Sequence, residues 1–241
     1  MSYRGLVLFD IDGTLMRRAG PHHRQALIYG IRKVTGLETT TDGIPVQGML
    51  DPAILTEMLR RAGAKRELIH QAINEIQHAA ERYYQLVCPP LEGKHCPGVP
   101  ELLERLARHG FLLALVTGNL TRIGWRKLER AGIGHYFLYG AFGEMAATRG
   151  RLVEWAIREA RLRHSLAVQA PVALVGDATS DVIAARENGI CAIAVRTGIT
   201  PVEDLAALKP DYLLRNLRDF RLRMVEGPAS ANRRTGPGRR T

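Results

Sequence analysis

Four short apolar runs, each followed by a polar turn that contains glycine, constrain the fold of this chain more than any other feature. They are residues 4–9 (RGLVLF), 111–116 (FLLALV), 172–175 (VALV) and 191–195 (CAIAV). Short continuous runs rich in Val, Ile and Leu are typical of strands that are buried on both faces. Helical periodicity lies between them, and this alternation predicts an α/β fold with a doubly wound parallel sheet.

The polar residues that follow these strands are expected to form one site. Asp10, Thr117 and Asp177 each come directly or nearly directly after a predicted strand, although more than a hundred residues separate the first from the second. In open parallel sheets, ligands bind outside the carboxyl ends of the strands. We therefore expect these three side chains to meet at one edge of the sheet.

One long segment interrupts the alternation of strands and helices. Residues 17–95 contain three helical stripes of apolar residues and no convincing strand, and Asp51 is expected to be the N-cap of the second helix. We predict a core α/β domain formed by residues 1–16 and 96–225, with 17–95 as an inserted all-helical cap domain that covers the site.

The charge and hydropathy of the chain bear on its partners and location. The 241 residues carry a formal net charge of +10, but the Arg residues are spread among Glu residues, so nucleic-acid binding is not expected. No apolar run approaches the roughly 18 residues of a membrane helix, and the N-terminus does not resemble a signal peptide, so we expect no membrane partner and a cytoplasmic location. The basic segment 226–241 is predicted to be a disordered tail.

Two aspartates two residues apart are the strongest chemical signal in the chain. Asp10 and Asp12 stand at the end of the first predicted strand, before a Gly-Thr turn. One carboxylate there can attack phosphorus while the other gives and takes protons. The alternative is that Asp-x-Asp-Gly is only a turn, in which the aspartates bond to their own backbone.

Two further stretches extend this interpretation. Asp177 and Asp181 are spaced i, i+4 around the start of a helix, and carboxylate oxygens together with a phosphate suit Mg²⁺, although Asp181 can also act by complementing the helix dipole. Thr117, Gly118 and Asn119 offer a hydroxyl and backbone N–H groups that can hold an anion, although this tripeptide is also an ordinary loop.

These stretches resemble a known family when they are taken in order. LFDIDGTL (8–15), LVTGN (115–119), Arg149 ahead of a helix and VGDATSD (175–181) are similar to the four motifs of the haloacid dehalogenase-like hydrolase superfamily. Within it, the chain resembles the phosphoglycolate-phosphatase-like branch with a helical cap. The resemblance covers residues 4–215.

The resemblance implies a role for each aspartate. Asp10 would be the nucleophile that forms an aspartyl-phosphate, and Asp12 would be the acid and then the base. Asp10, the backbone carbonyl of Asp12, and Asp177 would bind Mg²⁺, with Asp181 supporting the metal or its waters.

The resemblance also implies phosphate ligands and a reaction. Thr117, Gly118 and the neighbouring Asn119 would hold phosphate oxygens. Arg149 would take the place of the usual third-motif Lys. Arg151 is the competing assignment for that position, and the alternative for Arg149 is a plain surface Arg. The implied activity is magnesium-dependent hydrolysis of a small phosphorylated metabolite. A sugar-phosphate mutase and a non-catalytic binding or regulatory protein are the alternatives, and the chain could act as a monomer or a homodimer.

Residues of the predicted cap would select the substrate. The candidates are His22 and His23, where the chain enters the cap, and the turn formed by Gln47, Gly48 and Met49. Each has a simpler interpretation. The histidines can be solvated residues of a first helical turn, and Met49 with Leu50 can form a hydrophobic staple.

Overall fold

A six-stranded parallel sheet lies at the centre of the chain in a computed structural model, which describes residues 3–17 and 20–228. The strands are β1 Gly5–Phe9, β2 Phe111–Val116, β3 Tyr139–Ala141, β4 Val172–Gly176, β5 Cys191–Val195 and β6 Tyr212–Leu214. Their order across the sheet is β3-β2-β1-β4-β5-β6, and every neighbouring pair is parallel. The predicted doubly wound α/β sheet is confirmed.

The first strand holds the central position in this sheet. Val7 pairs with Leu113 of β2 on one side and with Ala173 of β4 on the other. The segments that leave β1, β2 and β4 are therefore neighbours at the carboxyl edge of the sheet. This order brings together the polar residues that the sequence distributes over more than 160 positions.

Eight α-helices surround the sheet in the described part of the chain. Three precede β2 in the helical insertion: α1 His22–Thr35, α2 Asp51–Arg61 and α3 Arg66–Val87. The others are α4 Val99–Arg108, α5 Thr121–Arg130, α6 Arg149–Arg163, α7 Thr179–Glu187 and α8 Val202–Ala207. Alternate residues of β1 face two separate apolar layers, as parallel strands buried on both faces require, with Val7 and Phe9 in one and Leu6 and Leu8 in the other.

The insertion is built on close contact between α1 and α3. A Cβ at Gly30 would meet the backbone oxygen of Ile76 and the side chain of Ala80, so glycine allows these helices to approach each other. The rings of Tyr29 and Tyr83 stack with centroids 4.3 Å apart. The three predicted helical stripes are present as helices, while the predicted domain boundaries stay a prediction.

The structure corrects one detail of the insertion. The N-cap of α2 is Leu50, and Asp51 is the first helical residue, with its side chain turned to partners outside its own helix.

No helix in the described residues is both long enough and apolar enough to span a bilayer. Glu226, where the tail was predicted to begin, ends a 3₁₀ turn and lies 3.5 Å from Arg4. Residues 229–241 of that tail lie outside the described residues.

Candidate active site

Three carboxylates converge at the carboxyl edge of β1 and β4. Asp10 follows β1, Asp177 follows β4, and Asp181 lies in the first turn of α7. All three are buried, and each places one oxygen within 4.8 Å of the others. The carboxyl ends of two neighbouring strands thus bring these predicted residues into one cluster.

Small neighbours and two hydrogen bonds fix Asp177. A Cβ at Gly198 would overlap the carboxylate of Asp177, and so would one at Gly13, which has a φ of +88°. The carboxylate accepts hydrogen bonds from Thr14 Oγ1 at 3.1 Å and from Gln47 Nε2 at 2.8 Å. Glycine at both positions leaves room for a buried carboxyl group that is already oriented.

The cluster has the electrostatic character of a cation site. Burial, and to a lesser extent repulsion from Asp10 and Asp181, raises the pKa of Asp177 to about 8. Burial also raises the pKa of Asp181 to about 6 and that of Asp10 above its ordinary value, although Arg149 opposes both shifts. A divalent cation would relieve this repulsion, and an all-oxygen donor set fits Mg²⁺. Asp10, Asp177 and Asp181 could hold such an ion.

Arg149 lies beside this cluster, whereas Arg151 does not. Nη1 of Arg149 donates to Asp181 Oδ1 at 2.8 Å and to Asp10 Oδ1 at 3.2 Å, and the residue is only 7% exposed. The side chain of Arg151 is 71% exposed and pairs with Glu154 on the surface. Of these two arginines, Arg149 is the one whose guanidinium lies at Asp10.

The segment after β2 forms the next wall of the site. Thr117 is fully buried, and its Oγ1 accepts a hydrogen bond from Asn119 Nδ2 at 2.8 Å. Gly118 has no room for a side chain, because a Cβ there would overlap the backbone oxygen of Met49. These three predicted residues are thus brought to the edge of the sheet that carries Asp10.

Asp12 has a different environment from the three clustered carboxylates. Its side chain is 38% exposed, and its Oδ2 accepts hydrogen bonds from Lys127 Nζ at 2.5 Å and from Asn119 Nδ2 at 2.9 Å. Burial is the largest single influence on the pKa of Asp12 and raises it, but the charge of Lys127 and the hydrogen bonds from Lys127 and Asn119 act together in the other direction and hold the pKa at about 2. The structure therefore keeps this carboxylate ionised.

The turn before α2 reaches the site from the insertion. Gln47 donates to Asp177, Gly48 O accepts from Ser180 Oγ at 3.2 Å, and Met49 lies against Gly118. All three predicted turn residues thus lie at the sheet edge. A cavity of about 750 Å³ lies between the insertion and the sheet, and this turn lines part of it.

The two predicted histidines differ in their contacts. Both line the cavity. His23 lies between Lys127 and Asp51, with Nδ1 3.2 Å from Lys127 Nζ and Nε2 2.9 Å from Asp51 Oδ2. His22 Nδ1 is buried and makes no hydrogen bond within the described residues.

Two residues of the site, Lys127 and Asp51, were not predicted from the sequence. Lys127 is 2% exposed and contacts Asp12, but it lies on α5, away from the strand ends that the sequence marks. Asp51 is also 2% exposed, and its position before Pro52 suggested only a helix cap. One feature of the sequence could have pointed to Lys127. The chain has only five Lys among 34 basic residues, and this one lies within an apolar helical stripe.

Comparison with known proteins places these motifs in a family. The model of the haloacid dehalogenase-like hydrolases matches residues 5–189. A phosphoglycolate phosphatase from Vibrio parahaemolyticus is 27% identical over 233 residues, which span 89% of this chain and 93% of that protein.

Solved structures share the fold. A predicted phosphoglycolate phosphatase from Haemophilus somnus aligns with a TM-score of 0.64 and 22% identity over 90% of this chain and 96% of its own. A β-phosphoglucomutase from Clostridium difficile aligns with a TM-score of 0.70 and 17% identity over 94% of this chain and 96% of its own. At these identities the structures support the architecture alone.

Proposed function

Because the chain belongs to the haloacid dehalogenase-like hydrolases, we propose that it is a magnesium-dependent phosphatase that hydrolyses a small phosphate monoester through an aspartyl-phosphate on Asp10. The observation that carries the proposal is the position of Asp10, which lies beside Arg149 and has a carboxylate oxygen within 4.8 Å of oxygens of Asp177 and Asp181. The relatives named phosphoglycolate phosphatase support the same reaction.

In the first step, a carboxylate oxygen of Asp10 attacks phosphorus, and the bond between phosphorus and the alcohol oxygen breaks. Asp12 gives its proton to that leaving oxygen. Asp12 is ionised beside Lys127 in the free protein, so it takes up this proton from water when the phosphate ester binds, because the negative charge of the phosphate favours the protonated form. Arg149 stabilises the negative charge that spreads over the phosphoryl oxygens.

In the second step, water attacks phosphorus, and the bond between phosphorus and Asp10 breaks. Asp12, now ionised, accepts the proton of that water, so inorganic phosphate leaves, the carboxylate of Asp10 is free again, and Asp12 again carries the proton that the first step uses. The ionised state that Lys127 favours is the one that this step needs. Thr117 and the backbone N–H of Gly118 hold phosphoryl oxygens in both steps.

The predicted metal fits the donor set. Asp10, Asp177 and the backbone carbonyl of Asp12 would hold Mg²⁺, and Asp181 would support it. When bound, the ion neutralises charge on the phosphoryl group and on the attacking carboxylate.

The helical insertion would act as a cap that excludes water and selects the substrate. The turn of Gln47, Gly48 and Met49 lies at the Asp177 end of the cavity, while His22 and His23 line its wall. Closing such a site removes competing water and strengthens its electrostatic interactions. A monomer or homodimer, a small phosphorylated substrate and a cytoplasmic location complete the proposal.

The test is release of phosphate from p-nitrophenyl phosphate and a panel of phosphorylated metabolites, with Mg²⁺ or with EDTA. We expect turnover that requires Mg²⁺ and disappears in Asp10→Asn, with phosphoglycolate among the panel members. Retained turnover in Asp10→Asn would exclude Asp10 as the nucleophile.

A sugar-phosphate mutase is the second candidate, since its chemistry uses the same aspartates. It predicts that a bisphosphorylated sugar primes the protein and that isomer forms faster than free phosphate. A purely binding protein is disfavoured, because binding does not need four carboxylates at a site with Arg149. Unchanged polyanion binding after removal of residues 226–241 would eliminate the remaining support for that alternative.

A further inference from the structure

We infer that Lys127 is a positioning residue for Asp12 and that it makes the placement of this carboxylate depend on the helical insertion. The inference rests on the proposed phosphatase reaction, in which Asp12 transfers protons in both steps. Lys127 lies on α5, outside the motifs that suggested the site.

The ammonium group of Lys127 has a complete set of acceptors. Its Nζ lies 2.5 Å from Asp12 Oδ2, 2.6 Å from Asn119 Oδ1 and 3.2 Å from His23 Nδ1. An ammonium has three donors and no acceptor, so these three partners account for all of its hydrogen bonds. A buried charge with this arrangement is held in one position, because moving it would leave a donor without a partner.

These contacts anchor one oxygen of Asp12 and leave the other available. Lys127 Nζ and Asn119 Nδ2 both donate to Oδ2. Within residues 3–17 and 20–228, no hydrogen bond reaches Oδ1 of the same carboxylate. Because Asn119 also contacts Lys127, the two donors support each other, and Oδ1 is the oxygen placed to exchange a proton with the leaving group or with water.

The same ammonium connects Asp12 to the insertion. Since Lys127 can only donate, His23 Nδ1 accepts, and His23 Nε2 carries the proton that is donated to Asp51 Oδ2 at 2.9 Å. His23 lies on α1 and Asp51 begins α2, whereas Lys127 belongs to a helix that follows β2. Displacement of the insertion would therefore remove one of the three acceptors that hold Lys127.

The choice of residue fits this role. The chain carries only five Lys among its 34 basic residues, so Arg is its usual cation. A guanidinium has five donors in a planar fork, and this buried position offers three acceptors around one point. An ammonium matches that number, whereas Arg would bury donors without partners.

Lys127 positions Asp12 in this arrangement and does not bind the substrate. Without its ammonium, the carboxylate of Asp12 would turn away from the position that proton transfer requires, and small displacements of a catalytic group can cost about 100-fold in rate. Arg149 and Thr117 do not contact Lys127 and would still hold the phosphate. The loss should therefore appear in kcat and should not raise KM.

The test compares Lys127→Met with the wild type on p-nitrophenyl phosphate in Mg²⁺. We expect kcat to fall about 100-fold while kcat/KM stays within about threefold, so KM should fall in parallel with kcat. The p-nitrophenolate leaving group needs little protonation, so the first step should survive and the second should become slow. A burst of p-nitrophenol that approaches one equivalent per protein molecule should then precede the slow steady state. A kcat within about threefold of the wild type, or a raised KM at unchanged kcat, would overturn the inference.

Three further variants complete the design. Lys127→Gln repeats the test with a neutral polar side chain if the Met variant does not fold. Arg122→Met removes one positive charge from the exposed start of the same helix and should keep the wild-type kcat. His23→Phe keeps an aromatic ring but removes both nitrogens, and it should lower kcat without raising KM. An unchanged kcat in His23→Phe would overturn the link to the insertion.

Failure of this inference is distinguishable from failure of the proposed function. If Asp10→Asn retains turnover, the proposed phosphatase mechanism is wrong. If Asp10→Asn is inactive and Lys127→Met matches the wild type, the mechanism stands and only the role of Lys127 is overturned.

Discussion

The carboxylate of Asp51 accepts a hydrogen bond from the backbone N–H of Leu120 at 2.8 Å, across the contact between the insertion and the sheet. The next two N–H groups also donate to carboxylates, Thr121 to Glu144 at 3.0 Å and Arg122 to Glu81 at 2.9 Å. The start of α5 has no side-chain cap of its own. Carboxylates from α2 and α3 therefore anchor the insertion to the N-terminus of the helix that carries Lys127.

Removal of Asp51 should loosen this anchor. Asp51→Ala leaves the Leu120 N–H and His23 Nε2 without their acceptor, so we expect a loss of about 1–3 kcal/mol in the free energy of unfolding. Urea denaturation measures the loss, and hydrogen exchange at Leu120 should become faster. Asp42→Ala, an exposed change in the same insertion, should have little effect. Equal stabilities of the two variants would contradict the anchor.

Arg149 and Arg151 should differ sharply in activity. Arg149→Met removes the buried cation beside Asp10 and should lower kcat/KM by about 100-fold or more. Arg151→Met removes only an exposed ion pair with Glu154, and its kcat/KM should stay within about twofold. Phosphate-release assays of the two purified variants make the comparison. Similar losses in both variants would show that the site does not depend on the position of Arg149.

The pKa of Asp177 predicts how stability without metal depends on pH. The folded protein raises this pKa from 3.8 to about 8, so the associated stability is present below the ordinary value and is lost as pH rises through about 8. The melting temperature in EDTA should therefore fall across this range, and Asp177→Asn should reduce the fall. The same variant should lose stabilisation by Mg²⁺. An identical pH dependence in the variant would contradict the assignment.

Gly118 should be intolerant of a side chain for a local reason. A Cβ there would overlap the backbone oxygen of Met49, so Gly118→Ala should displace the turn of the insertion from the site and lower kcat/KM. A Cβ at Gly134 has its nearest neighbour at 3.6 Å, so Gly134→Ala is the matched control and should remain active. Equal activity of both variants would show that the turn does not need this close approach.

Much of the sheet was predictable because four of its strands are continuous apolar runs. β3 and β6 were missed, since each has only three residues and β3 has Gly140 at its centre. Such short strands form because a neighbouring strand is already in place, with Ala114 pairing with Tyr139 and Ile193 with Tyr212. That information lies in the sheet and not in the local sequence.

The strand-end residues were predictable for the same reason, whereas Lys127 and Asp51 were not. Asp10, Thr117 and Asp177 follow recognisable strands, so topology alone brings them together. Lys127 reaches the site only because α5 packs beside it, and Asp51 only because α2 docks on that helix. Their roles depend on the relative placement of helices, which periodicity does not specify.

The most direct test of the account is chemical trapping of the phosphorylated residue. Wild-type protein is quenched with acid during turnover of p-nitrophenyl phosphate and treated with borohydride, which reduces an acyl phosphate to an alcohol, and its peptides are analysed by mass spectrometry. We expect conversion of Asp10 to homoserine, dependent on both substrate and Mg²⁺. Reduction at another aspartate, with Asp10 unmodified, would contradict it.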